Sequence, residues 1–173
     1  VKHLANSGGI LNFPGSHLDM VRPGIMCYGY PPARRPDNAG LTPVMTLKSG
    51  IIAIKHVPAG TPISYGHTYH SSAAENIATI PIGYGNGYPR LLSGHGEVLI
   101  ADKRYPVAGR VCMDQLMLAL GNDSLTHETE VILFGVGSLD AWEIAEKSGT
   151  IPYEITCRIA PRVPRIYRST RQM

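Results

Sequence analysis

Long apolar runs, charge and cysteine are all scarce in this 173-residue sequence. No stretch approaches the 18 or more consecutive apolar residues of a membrane-spanning helix, and no segment has the layout of a signal peptide, so no membrane partner is expected. Cys27, Cys112 and Cys157 are odd in number and form neither a C-x-x-C pair nor a Cys/His cluster at zinc spacing. That argues against a disulfide framework and a zinc site, and the simplest expectation is reduced thiols in a cytoplasmic protein with no metal. Charged residues make up 17%, and the net charge of +3 comes from scattered Lys and Arg rather than a basic tract, so nothing supports a nucleic-acid partner. Walker A, H-E-x-x-H and G-x-S-x-G sequences are missing. Gly83-Tyr84-Gly85-Asn86-Gly87 does not match G-x-G-x-x-G and no helical pattern opens after it, which excludes a dinucleotide fingerprint. An initiator methionine is missing too; the abrupt opening at Val1-Lys2-His3 predicts a fragment or a processed product.

What is abundant is apolar residues (43%) and turn formers, with 19 Gly and 14 Pro against a combined average usage of about 12%. The length suits one domain with its own core plus a piece of another. Residues 1–32 combine His3-Leu4-Ala5-Asn6-Ser7-Gly8-Gly9-Ile10 with Asp19-Met20-Val21-Arg22-Pro23-Gly24-Ile25, a pattern of strand ends and tight turns. Arg34 to Gly40 is polar and turn-rich, which divides the chain into residues 1–35 and 36–173. Beyond it, short β-rich runs dominate: Val44 to Val57, Ile77 to Ile80, Val98 to Ile100, and Glu130 to Phe134. Ala101-Asp102-Lys103-Arg104 reads as a hairpin loop, and Leu116, Leu118 and Leu120 fall on one face at period two. Two helices are legible. Asp140 caps one over Ala141 to Ser148, with Glu143 in the capping-box position and Gly149 at its stop; Ile151, Ile155 and Ile159 at four-residue spacing mark the other. Arg162 to Tyr167 reads as a final strand. The fold class is mainly β, a barrel or sandwich from about residue 40.

Nine Tyr against two Phe is the most unusual ratio in the composition. Ser64-Tyr65-Gly66 and Gly83-Tyr84-Gly85 set phenols between small residues, where a ligand can approach; a phenol serves as acid or base if its neighbours bring its pKa toward working pH. The alternative is ordinary turn packing. Arginines beside Gly or Pro form a second group: Arg22, Arg110, Arg162 and Arg165. Each is a fixed cationic donor suited to a carboxylate, a phosphate or a heteroaromatic nitrogen, or else to a surface ion pair. Ser7-Gly8-Gly9 offers a hydroxyl and flexible backbone N–H groups to a phosphate. His56, His67, His70, His95 and His127 are scattered and without partners, and most are expected to face solvent.

In chain order these motifs resemble the C-terminal part of the alanine racemase family: His3-Leu-Ala-Asn-Ser7, Val21-Arg-Pro-Gly-Ile25, Tyr28-Gly29, Pro43-Val-Met45, Ser64-Tyr-Gly66, Thr79-Ile-Pro-Ile-Gly-Tyr84, Gly109-Arg-Val-Cys-Met-Asp-Gln115, Tyr153-Glu154 and Arg162-Val-Pro-Arg165. The resemblance implies a pyridoxal 5'-phosphate enzyme that interconverts L- and D-alanine, the latter for peptidoglycan. It implies a homodimer, an N-terminal α/β (TIM-type) barrel of which residues 1–35 are a remnant, and a C-terminal, β-barrel-like domain over residues 36–173. The lysine that forms the Schiff base with the cofactor belongs to the missing part, so this fragment alone is expected to be inactive. Carried over residue by residue, Tyr65 is the catalytic acid/base for one face of the substrate, acting in the partner subunit's site. Arg22 faces the pyridine nitrogen and keeps it unprotonated, while Ser7, Gly24 and Ile25, with Asn6, bind the cofactor. Met113 and Tyr84 meet the substrate, and Arg90, Arg110 and Ile159 line the channel that leads to it. Two positions depart from the family pattern. Asn86 stands where Asp is frequent, which loses a charge near the channel, and Pro161 stands where some members carry a phosphate-binding tyrosine. The alternatives are a racemase for serine or another small amino acid, and a non-catalytic β-barrel module that binds a protein or single-stranded nucleic acid.

Overall fold

The computed structural model describes residues 1–35, 37–135 and 139–168. Pro36, where the expected boundary falls, lies outside the described residues. The chain begins with β1 (His3–Asn6), α1 (Ser7–Asn12) and β2 (Met20–Arg22), and β1 pairs with β2 in parallel. Parallel neighbours need a crossover, and α1 is part of it. The sequence pattern predicts only strand ends and turns here. The helix forms because Asn6 caps it, its Oδ1 accepting the Gly9 N–H at 3.0 Å, while Asn12 Nδ2 donates to Gly8 O at 2.9 Å.

From Leu47 the chain is mostly antiparallel β. The Val44 to Val57 run divides into β3 (Leu47–Gly50) and β4 (Ala53–Val57); β5 (Pro62–Ile63), β6 (Tyr69–His70), β7 (Glu75–Ile80), β8 (Glu97–Ile100), β9 (Lys103–Pro106), β10 (Leu116–Gly121) and β11 (Glu130–Phe134) follow. One sheet runs β10-β7-β4 and another β3-β11-β8-β9, while β5 and β6 make a two-stranded ribbon. The fold is mainly β, as expected, but its strands close no ring among the described residues: a single bridge, Val107 to Leu118, links the two larger sheets. Lys103 and Arg104 belong to β9 rather than to a loop. The hairpin turn shrinks to Ala101 and Asp102, both at positive φ (47° and 63°), which fits the twist of the flanking strands.

Leu116, Leu118 and Leu120 are all buried in the core that the two sheets share. On the opposite face of β10, Ala119 packs with Ile63, Ile77 and Ala108 in a second, smaller cluster joined by Tyr69 and Met117. Both faces of the sheet are therefore covered, the second one by the β5–β6 ribbon. Two short helices close the chain, α2 (Ala141–Lys147) and α3 (Pro152–Cys157). Asp140 caps α2 as its position predicts, accepting the Glu143 N–H at 2.8 Å. Of the isoleucine stripe, Ile155 and Ile159 are buried, but Ile151 is exposed because it precedes the helix as its N-cap. No strand forms over residues 162–167. Pro164 supplies no N–H to a ladder, and Arg165 folds back to donate to Ala160 O, Val163 O and Ile159 O. Tyr30, fully buried, accepts the Ala141 N–H and ties the first 30 residues to α2.

The Glu143 side chain does not complete a capping box. It takes a two-pronged grip from Arg104 at 2.6 and 2.8 Å and a contact from Lys147 at 2.8 Å; Glu97 joins through Lys147 at 2.7 Å and Arg104 at 3.0 Å. The Arg104 guanidinium holds the Glu143 carboxyl down to about 2, and Lys147 likewise lowers Glu97. Carboxylates depressed by folding contribute stability above their ordinary value of about 4.3 and lose it as the pH falls toward the folded value. Melting temperature is therefore expected to decline between about pH 4.5 and 2. Glu143→Gln should flatten that decline by about 1 kcal/mol, a figure reduced for the water that reaches the cluster. Thermal unfolding of both proteins across this pH range checks it; parallel curves would remove the cluster as the cause.

Candidate functional site

Two separate places collect the residues singled out from the sequence. The first is an open depression of about 870 Å³ lined by Tyr65, Tyr84, Arg90, Arg110 and Met113, among others. Tyr65 sits at the tip of the β5–β6 ribbon, whose pairing runs Pro62 to His70 and Ile63 to Tyr69, and the residue is 73% exposed. The base of the ribbon is anchored by a buried carboxylate: Glu75 accepts the Tyr69 hydroxyl at 2.8 Å and the Ser71 hydroxyl at 2.6 Å. Burial, followed by that bond, pushes the Tyr69 phenol up to about 12, so it is a fixed donor. Tyr65 has no such anchor: among the described residues nothing hydrogen-bonds its hydroxyl.

Opposite the ribbon, the Gly83 to Gly87 loop lies against the Cys112-Met113 backbone. Tyr84 N–H donates to Cys112 O at 3.0 Å and Gly85 N–H to Met113 O at 2.8 Å. The approach is this close because Gly83 has no side chain: a Cβ there would stand 2.1 Å from Cys112 O. Asn86 turns inward, its Oδ1 accepting the Gly83 N–H at 3.0 Å, so it holds the turn instead of presenting a group at the channel. Ile159 does not line the depression. It is buried in the main core behind Gly87, where a Cβ on the glycine would come 2.7 Å from its Cα.

Sequence reasoning did not nominate Ser64, Cys112 or Asp114, yet all three line this space, and Arg162 crosses to Asp114 at 2.7 Å. Their signal was available, since each lies inside a motif quoted for a neighbour. The histidines are exposed as expected, but not all lack partners: His56 Nδ1 meets Asn76 Oδ1 at 3.0 Å and His95 Nε2 meets Lys147 O at 3.1 Å.

The second place is the C-terminal end of the parallel pair, where Asn6 and Arg22 are register partners. Ser7 is buried, and its Oγ accepts the Gly24 N–H at 2.9 Å, which leaves the hydroxyl proton free to donate. Ile25 opens a 3-10 turn, so its N–H has no carbonyl within that turn to bond. Arg22 is exposed and spends one N–H on Leu4 O at 3.1 Å, which steadies a guanidinium with donors to spare. Asn6 is already committed to capping α1. This is a set of donors, suited to an anion at one end and to an acceptor nitrogen beside Arg22. No hydrogen bond or ion pair joins it to the ribbon tip among the described residues.

The described chain thus joins a parallel strand pair with donors at its C-terminal end to a mainly β region that exposes a phenol. The family profiles agree: the one described as alanine racemase, C-terminal domain, matches residues 44–167, and the one described as alanine racemase, N-terminal domain, matches residues 1–32. An alanine racemase of Halothermothrix orenii is 47% identical, covering 98% of this chain and 46% of the relative. The solved alanine racemase of D-cycloserine-producing Streptomyces lavendulae superposes with a TM-score of 0.93 at 41% identity, covering 98% of this chain and 46% of that one. That of Clostridium difficile 630, solved in complex with cycloserine, gives 0.88 at 44%, covering 94% and 44%. This chain belongs to the alanine racemase family. It spans less than half the length of these relatives.

Proposed function

We propose that this chain is the C-terminal portion of a cytoplasmic, homodimeric, pyridoxal-phosphate-dependent alanine racemase. Residues 1–35 then belong to the barrel that holds the cofactor, and residues 36–173 form the β domain. The observation that carries the reading is the convergence of Tyr65, Tyr84, Arg90, Arg110 and Met113 on one depression, apart from a donor set suited to a phosphate. Bound pyridoxal phosphate supplies an electron sink for the pair left behind when the α-proton departs. Ser7 and the Ile25 N–H hold the phosphate, with Gly24 fixing the serine rotamer. Arg22 donates to the pyridine nitrogen; a guanidinium does not give up its proton there, so the ring stays a weak sink and side reactions are disfavoured.

Inversion at the α-carbon requires a proton to leave one face and return on the other, which takes two groups. Tyr65 serves one face, and its exposure at a ribbon tip, unlinked to Ser7 and Arg22, suits delivery into the partner subunit's site. Met113 presents its backbone N–H to the substrate carboxylate. The arginines Arg90 and Arg110 attract that carboxylate along the channel. The binding of cycloserine by the Clostridium difficile relative supports a small amino-acid-sized substrate.

The full-length protein loaded with pyridoxal phosphate is expected to interconvert L- and D-alanine, and the 173-residue chain alone is expected to be inactive. Chiral chromatography of both reactions decides it. Racemisation by the isolated chain, or a faster full-length reaction with serine, would overturn the assignment.

A further inference from the structure

Ser64, immediately before Tyr65, occupies φ 65° and ψ 177°. Essentially only glycine adopts that region, because any Cβ crowds the flanking peptide groups. A serine persists in so unfavourable a conformation only if its surroundings over-determine it, and here they do. The Ser64 hydroxyl donates to Arg110 O at 2.9 Å. Its Cβ rests against Gly109, where an added Cβ would come within 2.7 Å of it; Gly109 itself sits at φ 79°. One residue beyond Tyr65, Gly66 at φ 71° lies under the Arg110 guanidinium, with 3.3 Å between its would-be Cβ and Arg110 Cζ. The turn carrying the phenol thus interlocks with the 109–113 segment at three points, and that segment continues directly into Met113.

Building on the assignment of Tyr65 as acid/base, we propose that Ser64 is a positioning residue: its hydroxyl clamps the strained turn onto Arg110 O and so fixes Tyr65 relative to the Met113 backbone. The two groups that must act on one substrate molecule, one on its α-carbon and one on its carboxylate, are thereby held on a single rigid unit. The ribbon itself is only two residues on each strand, too short to aim a side chain at its tip unaided. A glycine at 64 would adopt the same backbone without strain, so the presence of a serine points to use of its side chain.

The test uses the full-length, cofactor-loaded racemase and compares Ser64→Gly with Tyr65→Phe. Glycine removes the clamp and relieves the strain together, so folding is preserved while positioning is lost. Ser64→Gly is expected to keep its melting temperature and its KM for alanine but to lower kcat by about tenfold, the scale of a misplaced catalytic group. In deuterated water its α-proton exchange should slow for one enantiomer, the same one that Tyr65→Phe slows. Turnover at the parent rate, or exchange slowed equally for both enantiomers, overturns the proposal. If Tyr65→Phe slows both enantiomers equally, the assignment of Tyr65 fails and the role of Ser64 fails with it; if only Ser64→Gly does so, the role of Ser64 fails alone.

Discussion

Replacing Tyr65 with phenylalanine in the full-length protein is expected to lower racemisation of alanine by about a thousandfold, within the range that a positioned acid or base contributes. The ring and its packing remain; only the hydroxyl is lost. Racemisation has an equilibrium constant of one, so kcat/KM must fall by the same factor in both directions, and steady-state rates cannot reveal which face the phenol serves. Isotope exchange can. In deuterated water, the enantiomer whose proton is taken by the other base should still exchange its α-hydrogen, without inversion, while its mirror image should not. In this chain Tyr65 stands at the ribbon tip 73% exposed and its hydroxyl has no hydrogen bond among the described residues, so its removal unpairs no group of the β domain and the melting temperature should hold. Retention of most of the activity would remove Tyr65 from the chemistry.

The second large effect is steric. In Gly83→Ala the new methyl would stand 2.1 Å from Cys112 O and 2.5 Å from Met113 O. Both are backbone atoms, pinned by the N–H groups of Tyr84 and Gly85 at 3.0 and 2.8 Å, so neither can rotate away as a side-chain end could. The loop or the Cys112-Met113 segment must shift, at a cost of about 3 kcal/mol, the upper end for inserting one methyl into a packed site. That corresponds to a drop in melting temperature on the order of 10 °C, and activity should fall with it because Met113 is displaced. Gly15→Ala is the matched control, since nothing lies within 4 Å of the added Cβ. Equal melting temperatures for the two variants would show that the segment yields freely.

Several elements were legible because their causes are local. Asp140 and Gly149 bracket α2 through caps made within a few residues, and the leucine alternation of β10 follows from the two-residue period of a strand. The candidate site was legible for a different reason: Ser64-Tyr65-Gly66 and Gly109 to Gln115 are short motifs whose order matched a known family. Two elements were misread because their side chains find partners that alternation and capping patterns do not announce. Glu143 looks like a capping-box residue until Arg104, 39 positions earlier, is brought beside it by the β8–β9 hairpin. Arg162 to Tyr167 looks like a strand, yet Pro164 offers no N–H and the Arg165 side chain turns back onto Ala160 O and Ile159 O, five and six residues earlier. Ile159 is buried beside Gly87, a placement that no local pattern announces.

Composition and turn chemistry by themselves determined a mainly β chain rich in turns, because Gly and Pro restrict the backbone whatever surrounds them. The motifs named Tyr65, Tyr84, Arg90 and Arg110; that they line one depression was decided by the tertiary structure. It also revealed that Ser64 holds a glycine-like conformation, since strain is set by the contacts that enforce it rather than by the residue that bears it. The separation of the phenol from the phosphate donors was likewise decided in three dimensions: Tyr65 lies in the turn between β5 and β6, held through the bond of Ser64 to Arg110 O, whereas Ser7 opens α1 after β1 and accepts the Gly24 N–H.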